Sequence, residues 1–399
     1  MALMFQIPKT MQAVVYRGTN ELRLETVPVP HIGPGELLVR VAVCGVCPTD
    51  IKKIQYGTVP PPRIFGHETA GTIVRVGSRL RQFRVGERVA VHHHVPCLEC
   101  HACRHHAFAQ CAQYKRTGIT AGFEPAGGGY AEYVRVMPFA LPGVVRIPAR
   151  NSFLEGALLE PVNTVLKAVK RLALLRGDTV LVAGQGPIGL MFTRLLALQG
   201  MRVLATDLLP TRLKLAREFG AAAEYCPKSE IRNPKPEGSP KAEIRRPKSS
   251  ITHHASRFTF HASRITQPPT DPQFSTIVNH LTQRHGLDAA VIAVPSDAVV
   301  REAQSLVRGA GQVLLFAHTR RGAEASVDLA TVCMDEKDLI GSYSSDYPLQ
   351  EEVARLVFSR KLDARRLVTH LFPLAQTAAA IELASHPTPE SLKVVVVQG

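Results

Sequence analysis

The sequence predicts an α/β protein with a doubly wound parallel sheet and a second, β-rich domain. Three observations carry this. Residues 179–207 read as strand, glycine turn, helix and second strand. Residues 274–316 continue the strand–helix alternation of a parallel sheet. Residues 11–43 alternate apolar and polar between Gly and Pro, as short antiparallel strands do. At 399 residues the chain also exceeds what one hydrophobic core usually serves.

The stretch from Thr179 to Asp207 is the most informative. Val180–Ala183 is a continuous apolar run, expected for a strand buried on both faces. Gly184, Gly186 and Gly189 follow at G-x-G-x-x-G spacing and lead into an apolar segment of helical length. The first glycine permits the tight turn, the second lets backbone approach a pyrophosphate, and the third lets helix pack on strand. The helix N-terminus offers free N–H groups and a positive dipole end to phosphates. A second strand, Arg202–Thr206, ends at Asp207, 18 residues beyond Gly189. A carboxylate there accepts from the adenosine ribose and repels a 2′-phosphate, which favours NAD over NADP. The motif alone is weak, but strand, helix and terminal acid agree on a dinucleotide site. Its candidate residues are Gly184, Gly186, Pro187, Ile188, Gly189, Asp207 and, in the next helical segment, Arg212.

Composition narrows the class. Hydrophobic residues make up 45% of the chain and the mean hydropathy is +0.02, as in ordinary soluble proteins. No apolar run reaches the ~18–20 residues that cross a bilayer. The segment MALMFQIPKT lacks the pattern of a secretory signal, and Met11 is an alternative start. The net charge of +15 raises the question of nucleic acid. Residues 228–266, however, hold nine Lys/Arg against three Glu, so six of those fifteen charges come from one Pro-rich segment. It contains near-repeats, EIRNPK and EIRRPK, then HASRFT and HASRIT, and reads as a disordered surface insert over 228–270. With no aromatic–basic stripe elsewhere, neither nucleic acid nor membrane is expected as a partner.

Two residue clusters carry metal chemistry. CGVCPTD (44–50) and FGHETAG (65–71) supply Cys47, His67 and Glu68, with Thr49 and Asp50 beside the cysteine. A catalytic zinc takes three protein ligands and keeps one position open, and Asp50 suits the task of holding the histidine's far nitrogen. Residues 97–111, CLECHACRHHAFAQC, place Cys97, Cys100, Cys103 and Cys111 in a C-x₂-C-x₂-C-x₇-C array. Four thiolates so close can wrap one tetrahedral structural zinc; a 4Fe–4S cluster is the competing reading. The nearby histidines at 92–94, 101, 105 and 106 read mostly as solvated. Such cysteine usage suits a reducing cytoplasm. Cys226 and Cys333 are isolated and receive no role.

Together, C-x-x-C-P-T-D, G-H-E, the four-cysteine array, GGGYAEYV at 127–134, Glu160–Pro161 and GQGPIG resemble the zinc-containing medium-chain dehydrogenases. That superfamily comprises alcohol, polyol and threonine dehydrogenases, and the likeness runs from about Met11 to Lys393, insert excluded. It implies a GroES-like catalytic domain over 11–155 and 318–399, with a zinc lobe at 92–115. A Rossmann NAD-binding domain would cover 156–317, with NAD(P) and substrate in the cleft between. By the same resemblance Cys47 and His67 match catalytic zinc ligands. Glu160 matches the acidic position near the metal in the polyol and threonine branch, and Glu68 is the other candidate. Thr49 matches the hydroxyl that passes the substrate proton onward. The resemblance further implies a homodimer or homotetramer. Two positions depart from the pattern: Pro48 replaces a small or polar residue, and Lys52 stands where a histidine often continues the proton relay. A charged lysine accepts no proton.

The expectation is therefore a zinc-dependent, NAD-linked dehydrogenase oxidising a secondary alcohol, of polyol or L-threonine type. The rivals are an oxidoreductase for simple alcohols or aldehydes, and a catalytically silent member acting as scaffold or nucleotide sensor. A protein using its basic insert on nucleic acid is a third.

Overall fold

The computed structural model describes residues 6–92, 95–116, 128–227, 271–317, 322 and 324–398. The insert expected at 228–270, His93, His94 and Gly127 lie outside the described residues.

Six strands form one parallel sheet, ordered Ala223–Tyr225, Arg202–Thr206, Thr179–Ala183, Leu287–Ile292, Val307–Leu315, Asp338–Gly341. Thr179–Ala183, first in sequence, lies in the middle and is buried throughout, as its unbroken apolar run requires. The strand order reverses between it and Leu287–Ile292, and such a reversal opens a crevice at the strands' carboxyl ends. The helix Pro187–Leu198 buries Leu190, Met191, Phe192, Leu195 and Leu196. At the carboxyl end of the edge strand Ala223–Tyr225, where Tyr225 pairs in register with Thr206, the Tyr225 hydroxyl donates to Asp271 and the Tyr225 ring stacks on Phe274 at 4.7 Å. The two flanks of the insert are thereby held side by side.

The sheet extends further along the chain than the handover expected at 318. Asp338–Gly341 pairs in parallel with Val307–Leu315, from Gln312↔Asp338 to Leu315↔Gly341. This strand is four residues long and largely exposed, because it sits at the sheet edge. It therefore lacks the apolar run that marks its buried neighbours in the sequence.

The second domain is built on a seven-stranded sheet around Leu37–Gly45. That strand pairs antiparallel with Glu68–Val76 and with the closing strand Lys393–Val397. Cys44 thus faces Thr69 on one side and Val396 on the other. This register brings CGVCPTD, GHE and Lys393 to one end of the sheet. Thr10–Gly18, Glu21–Pro28 and Arg63–Ile64 form a separate antiparallel sheet. The helix Leu159–Val169 joins the domains. Its Leu159, Val162, Val165 and Leu166 share one apolar core with Val43 and Ala70 of the β-rich sheet and Leu190 and Phe192 of the parallel-sheet domain. Among the described residues no helix is long and apolar enough to cross a membrane.

Close packing fixes the glycine turn. A Cβ on Gly189 would lie 1.8 Å from the Gly184 carbonyl oxygen, whereas one on Gly186 meets nothing within 4 Å. Gly189→Ala is expected to lower unfolding stability by about 2 kcal/mol and Gly186→Ala by about 0.5 kcal/mol or less, read from urea midpoints. Equal midpoints for the two variants would contradict this packing.

Candidate active site

The helix Pro48–Tyr56 starts at Cys47, whose Sγ accepts the Thr49 backbone N–H at 3.5 Å. Pro48, the departure from the family pattern, occupies the first turn, where a missing N–H costs nothing. Asp50, in the same turn, is wholly buried. Its Oδ1 lies 3.1 Å from His67 Nδ1, and the Gly66 N–H donates to its Oδ2 at 3.2 Å. Burial alone would raise the Asp50 pKa, but His67 outweighs it and holds the carboxyl below the usual range. An ionised Asp50 keeps the proton on Nδ1 and leaves Nε2 to face a metal.

Donor atoms of Cys47, His67 and Glu68 all lie within 4.8 Å of one another, a spacing that suits one ion with a position left open. Glu68 is buried and ion-pairs with Lys393 at 2.6 Å; Lys393 Nζ also donates to the Val46 carbonyl at 2.9 Å. Sequence reasoning missed Lys393. Its only local signal is a lysine heading the apolar run KVVVV, which does not reveal a partner 325 residues away. Glu160, the other acidic candidate, stands outside the three-residue group. It lines the same cavity and accepts from the Thr164 hydroxyl at 3.3 Å. Burial pushes the Glu160 pKa up to about 7; His67 opposes this and Glu68 adds to it. Thr49 and Lys52 line the cavity as well. Burial lowers the Lys52 pKa from the ordinary lysine value, against the opposing pull of Cys47.

The cavity, about 430 Å³, lies between the domains. Cys47, His67 and Glu160 line one side and Gly186, Pro187 and Ile188 the other, with Ser342, Tyr343 and Ser344 along a wall. The wall residues too were not legible as site residues, since SYSSD carries no motif. Gly184 adopts φ +91°, a turn that favours glycine. No side chain caps the helix that begins at Pro187, so its first N–H groups suit an anion. Asp207 Oδ2 accepts the Gln185 N–H at 2.7 Å and Oδ1 that of Leu209 at 2.9 Å. These bonds fix the carboxylate at the strand end. Arg212 Nη1 lies 3.9 Å from Asp207, and its Nη2 donates across the cleft to the Ser391 carbonyl at 3.2 Å.

The four cysteines form a separate centre. Sulfur separations are 3.5 Å for Cys100–Cys103, 3.6 Å for Cys97–Cys111 and 3.9 Å for Cys97–Cys103. Disulfides need about 2.05 Å, whereas thiolates ~2.3 Å from a tetrahedral zinc stand about 3.8 Å apart. The spacing fits one ion better than a cubane cluster, in which each thiolate binds a different iron. Burial pushes the Cys103 thiol up to about 12. At Cys111 burial also opposes ionisation, but N–H donation from Cys97 helps bring its pKa down to about 6. His101, His105 and His106 are exposed, as expected. His92 is buried instead, its Nε2 3.4 Å from the Ser345 hydroxyl.

Known proteins carry the same arrangement of domains. Residues 33–149 match the alcohol dehydrogenase GroES-like domain. Sorbitol dehydrogenase of Bacillus subtilis (strain 168) is 29% identical over 398 residues, covering 98% of each chain. Erythritol/L-threitol dehydrogenase of Mycolicibacterium smegmatis is 28% identical over 410 residues, covering 98% of this chain and 99% of the other. The crystal structure of 2R,3R-butanediol dehydrogenase from Bacillus subtilis superposes with a TM-score of 0.76 at 23% identity. The match covers 98% of this chain and 100% of that one, a likeness of fold. A GroES-like domain, a six-stranded dinucleotide-type sheet and full-length dehydrogenase relatives together support the medium-chain dehydrogenase/reductase family for this chain.

Proposed function

We propose that the protein is a zinc-dependent, NAD-linked dehydrogenase that oxidises a secondary alcohol, of polyol or L-threonine type. The observation that carries this reading is one cavity lined by both the Cys47, His67 and Glu160 side chains and the Gly186–Ile188 turn. The sorbitol and erythritol/L-threitol dehydrogenase relatives support a polyol. A silent scaffold has no need of a complete ligand set beside a dinucleotide turn.

Cys47, His67 and Glu68 would hold a catalytic zinc, with Glu160 beside it, and Cys97, Cys100, Cys103 and Cys111 a structural one. When bound, zinc supplies Lewis acidity at the substrate hydroxyl and NAD supplies the hydride acceptor. The chain's own residues do the rest. Asp50 orients the His67 ring, and Lys393 holds the Glu68 carboxylate in place. The Thr49 hydroxyl accepts the proton leaving the substrate, and Lys52, one turn further along the same helix, faces it on the way out. The helix N-terminus at Pro187 holds pyrophosphate, and Asp207 accepts from the ribose. Ile188, Met191 and Phe316 line the cavity and exclude water where the hydride moves.

NAD reduction by the purified protein across sorbitol, erythritol, L-threonine and 2-propanol tests this. Turnover is expected with a polyol or with threonine, lost on chelation and restored by zinc. Turnover that survives complete removal of metal contradicts the proposal, and a zinc-loaded, NAD-binding protein inert towards all four favours the silent reading. Replacing Asp207 by Ser removes the charge that repels a 2′-phosphate. The ratio of kcat/KM for NADP to that for NAD is expected to rise about tenfold, equivalent to about 1.4 kcal/mol. An unchanged ratio would show that Asp207 does not set the preference.

The homo-oligomer fits a surface feature of the parallel-sheet domain. The helix Leu329–Met334 buries none of its residues, and Leu329 and Met334 are 75% and 81% exposed. It directly precedes the edge strand Asp338–Gly341, whose outer side pairs with nothing among the described residues. An open edge flanked by apolar surface suits pairing with a second copy. Sedimentation should report a dimer or tetramer, and Leu339→Lys a smaller species. An unchanged mass for the variant would place the interface elsewhere.

A further inference from the structure

We propose that Tyr114 ties the four-cysteine lobe to the wall of the catalytic cleft, so that metal binding in the lobe positions Ser342–Ser344 and thereby governs substrate binding. The inference rests on the two-metal reading above and goes beyond it, because it gives the structural centre a direct hold on the catalytic one.

The link can be followed atom by atom. The helix Ala112–Arg116 begins at the residue after Cys111, so the cysteine's position sets that of the helix. Tyr114 is buried against Cys103, Phe108, Ala109 and Cys111. Its hydroxyl meets the Ser344 hydroxyl, 230 residues further along the chain. Ser344 has φ +63°, a left-handed conformation that a serine holds only where its surroundings impose it. The next residue, Ser345, is wholly buried and faces His92, on the strand-side flank of the lobe. Ser342, Tyr343 and Ser344 line the cleft.

The far side of the same wall hangs from the helix that carries Glu160. Lys167 Nζ donates to the Tyr343 carbonyl at 3.1 Å, and the Asp346 N–H donates to Asn163 Oδ1 at 2.8 Å. The wall is thus suspended between the lobe and the Glu160 helix, and Tyr114 is its anchor on the lobe side. Without a metal, four thiols 3.5–3.9 Å apart have no shared partner to hold them. Cys111 then keeps the Cys97 N–H but loses the tie to the other sulfurs that a shared ion would give, and a shift there reaches Ser344 through one short helix. Tyr114 is a positioning residue. It acts on substrate through Ser344 rather than by touching it.

The test uses the full-length, zinc-loaded protein with Tyr114→Phe, Ser344→Ala and the double variant. Hydrogen exchange over residues 341–346 should quicken roughly five- to tenfold in each, the size of one net hydrogen bond. Exchange at 97–111 and the zinc content should not change. KM for the alcohol should rise by a similar factor with kcat held within about twofold, and the double variant should exceed neither single one. Removing metal from the lobe of the unsubstituted protein should reproduce the faster exchange, with no further gain in Tyr114→Phe. Exchange at 341–346 that is the same with and without the tyrosine hydroxyl overturns the proposal. The exchange measurement needs no turnover, so an inert protein that still shows this response would cost the proposed activity and leave the tie standing.

Discussion

Two buried carboxylates organise the catalytic side of this molecule. Asp50 and Glu68 lie almost wholly out of solvent, where an unpaired anion costs several kcal/mol. Each is satisfied by a partner that the fold must deliver. Asp50 takes the His67 ring and the Gly66 N–H, which fixes the helix Pro48–Tyr56 against the start of the strand Glu68–Val76. Glu68 takes Lys393, which requires the last strand of the chain to lie beside Leu37–Gly45 in the observed register. The placement of Cys47 and His67 follows from these two pairings, as does the closure of the β-rich sheet by its C-terminal strand.

What could be read from the sequence was local chemistry. The glycine turn, the apolar strand before it and the acid after it lie within thirty consecutive residues, and their joint meaning survives without knowledge of the fold. The four cysteines are likewise contained in one short segment. Asp50 was legible as the partner of His67 because two short motifs sufficed to place it. Long-range partners were not legible: Lys393 finds Glu68, and Ser344 finds Tyr114, only through strand register and domain packing. The edge strand Asp338–Gly341 was missed because a strand with one neighbour and solvent on its outer side needs no apolar run. The choice between Glu68 and Glu160 also depended on the folded chain. Both precede or enter regular elements at plausible positions, yet only Glu68 joins Cys47 and His67 in the close group.

The domain interface adds a second layer. The helix Leu159–Val169 places Glu160 in the cleft, packs on both domains and holds the wall at Tyr343 and Asp346. Arg212 reaches from the parallel-sheet domain to the Ser391 carbonyl of the other, at the place where an adenosine ribose would sit beside Asp207. In the proposed reading, the candidate ribose site and the contact between the two domains would share Arg212. The basic charge of the chain has no counterpart in this machinery. Its densest segment, 228–266, is flanked in the sequence by Tyr225 and Asp271, whose side chains meet at the carboxyl end of the parallel sheet, where Tyr225 pairs in register with Thr206.

The central claim is that two metal centres of different character flank one dinucleotide cleft. Anomalous scattering at the zinc edge from crystals grown with NAD tests it most directly. The expected map has one peak enclosed by the sulfurs of Cys97, Cys100, Cys103 and Cys111. A second peak should lie among Cys47, His67 and Glu68, with the pyrophosphate at the Gly186 turn. A peak at the cysteines alone, with Cys47 and His67 bare in fully zinc-loaded protein, would contradict the catalytic reading.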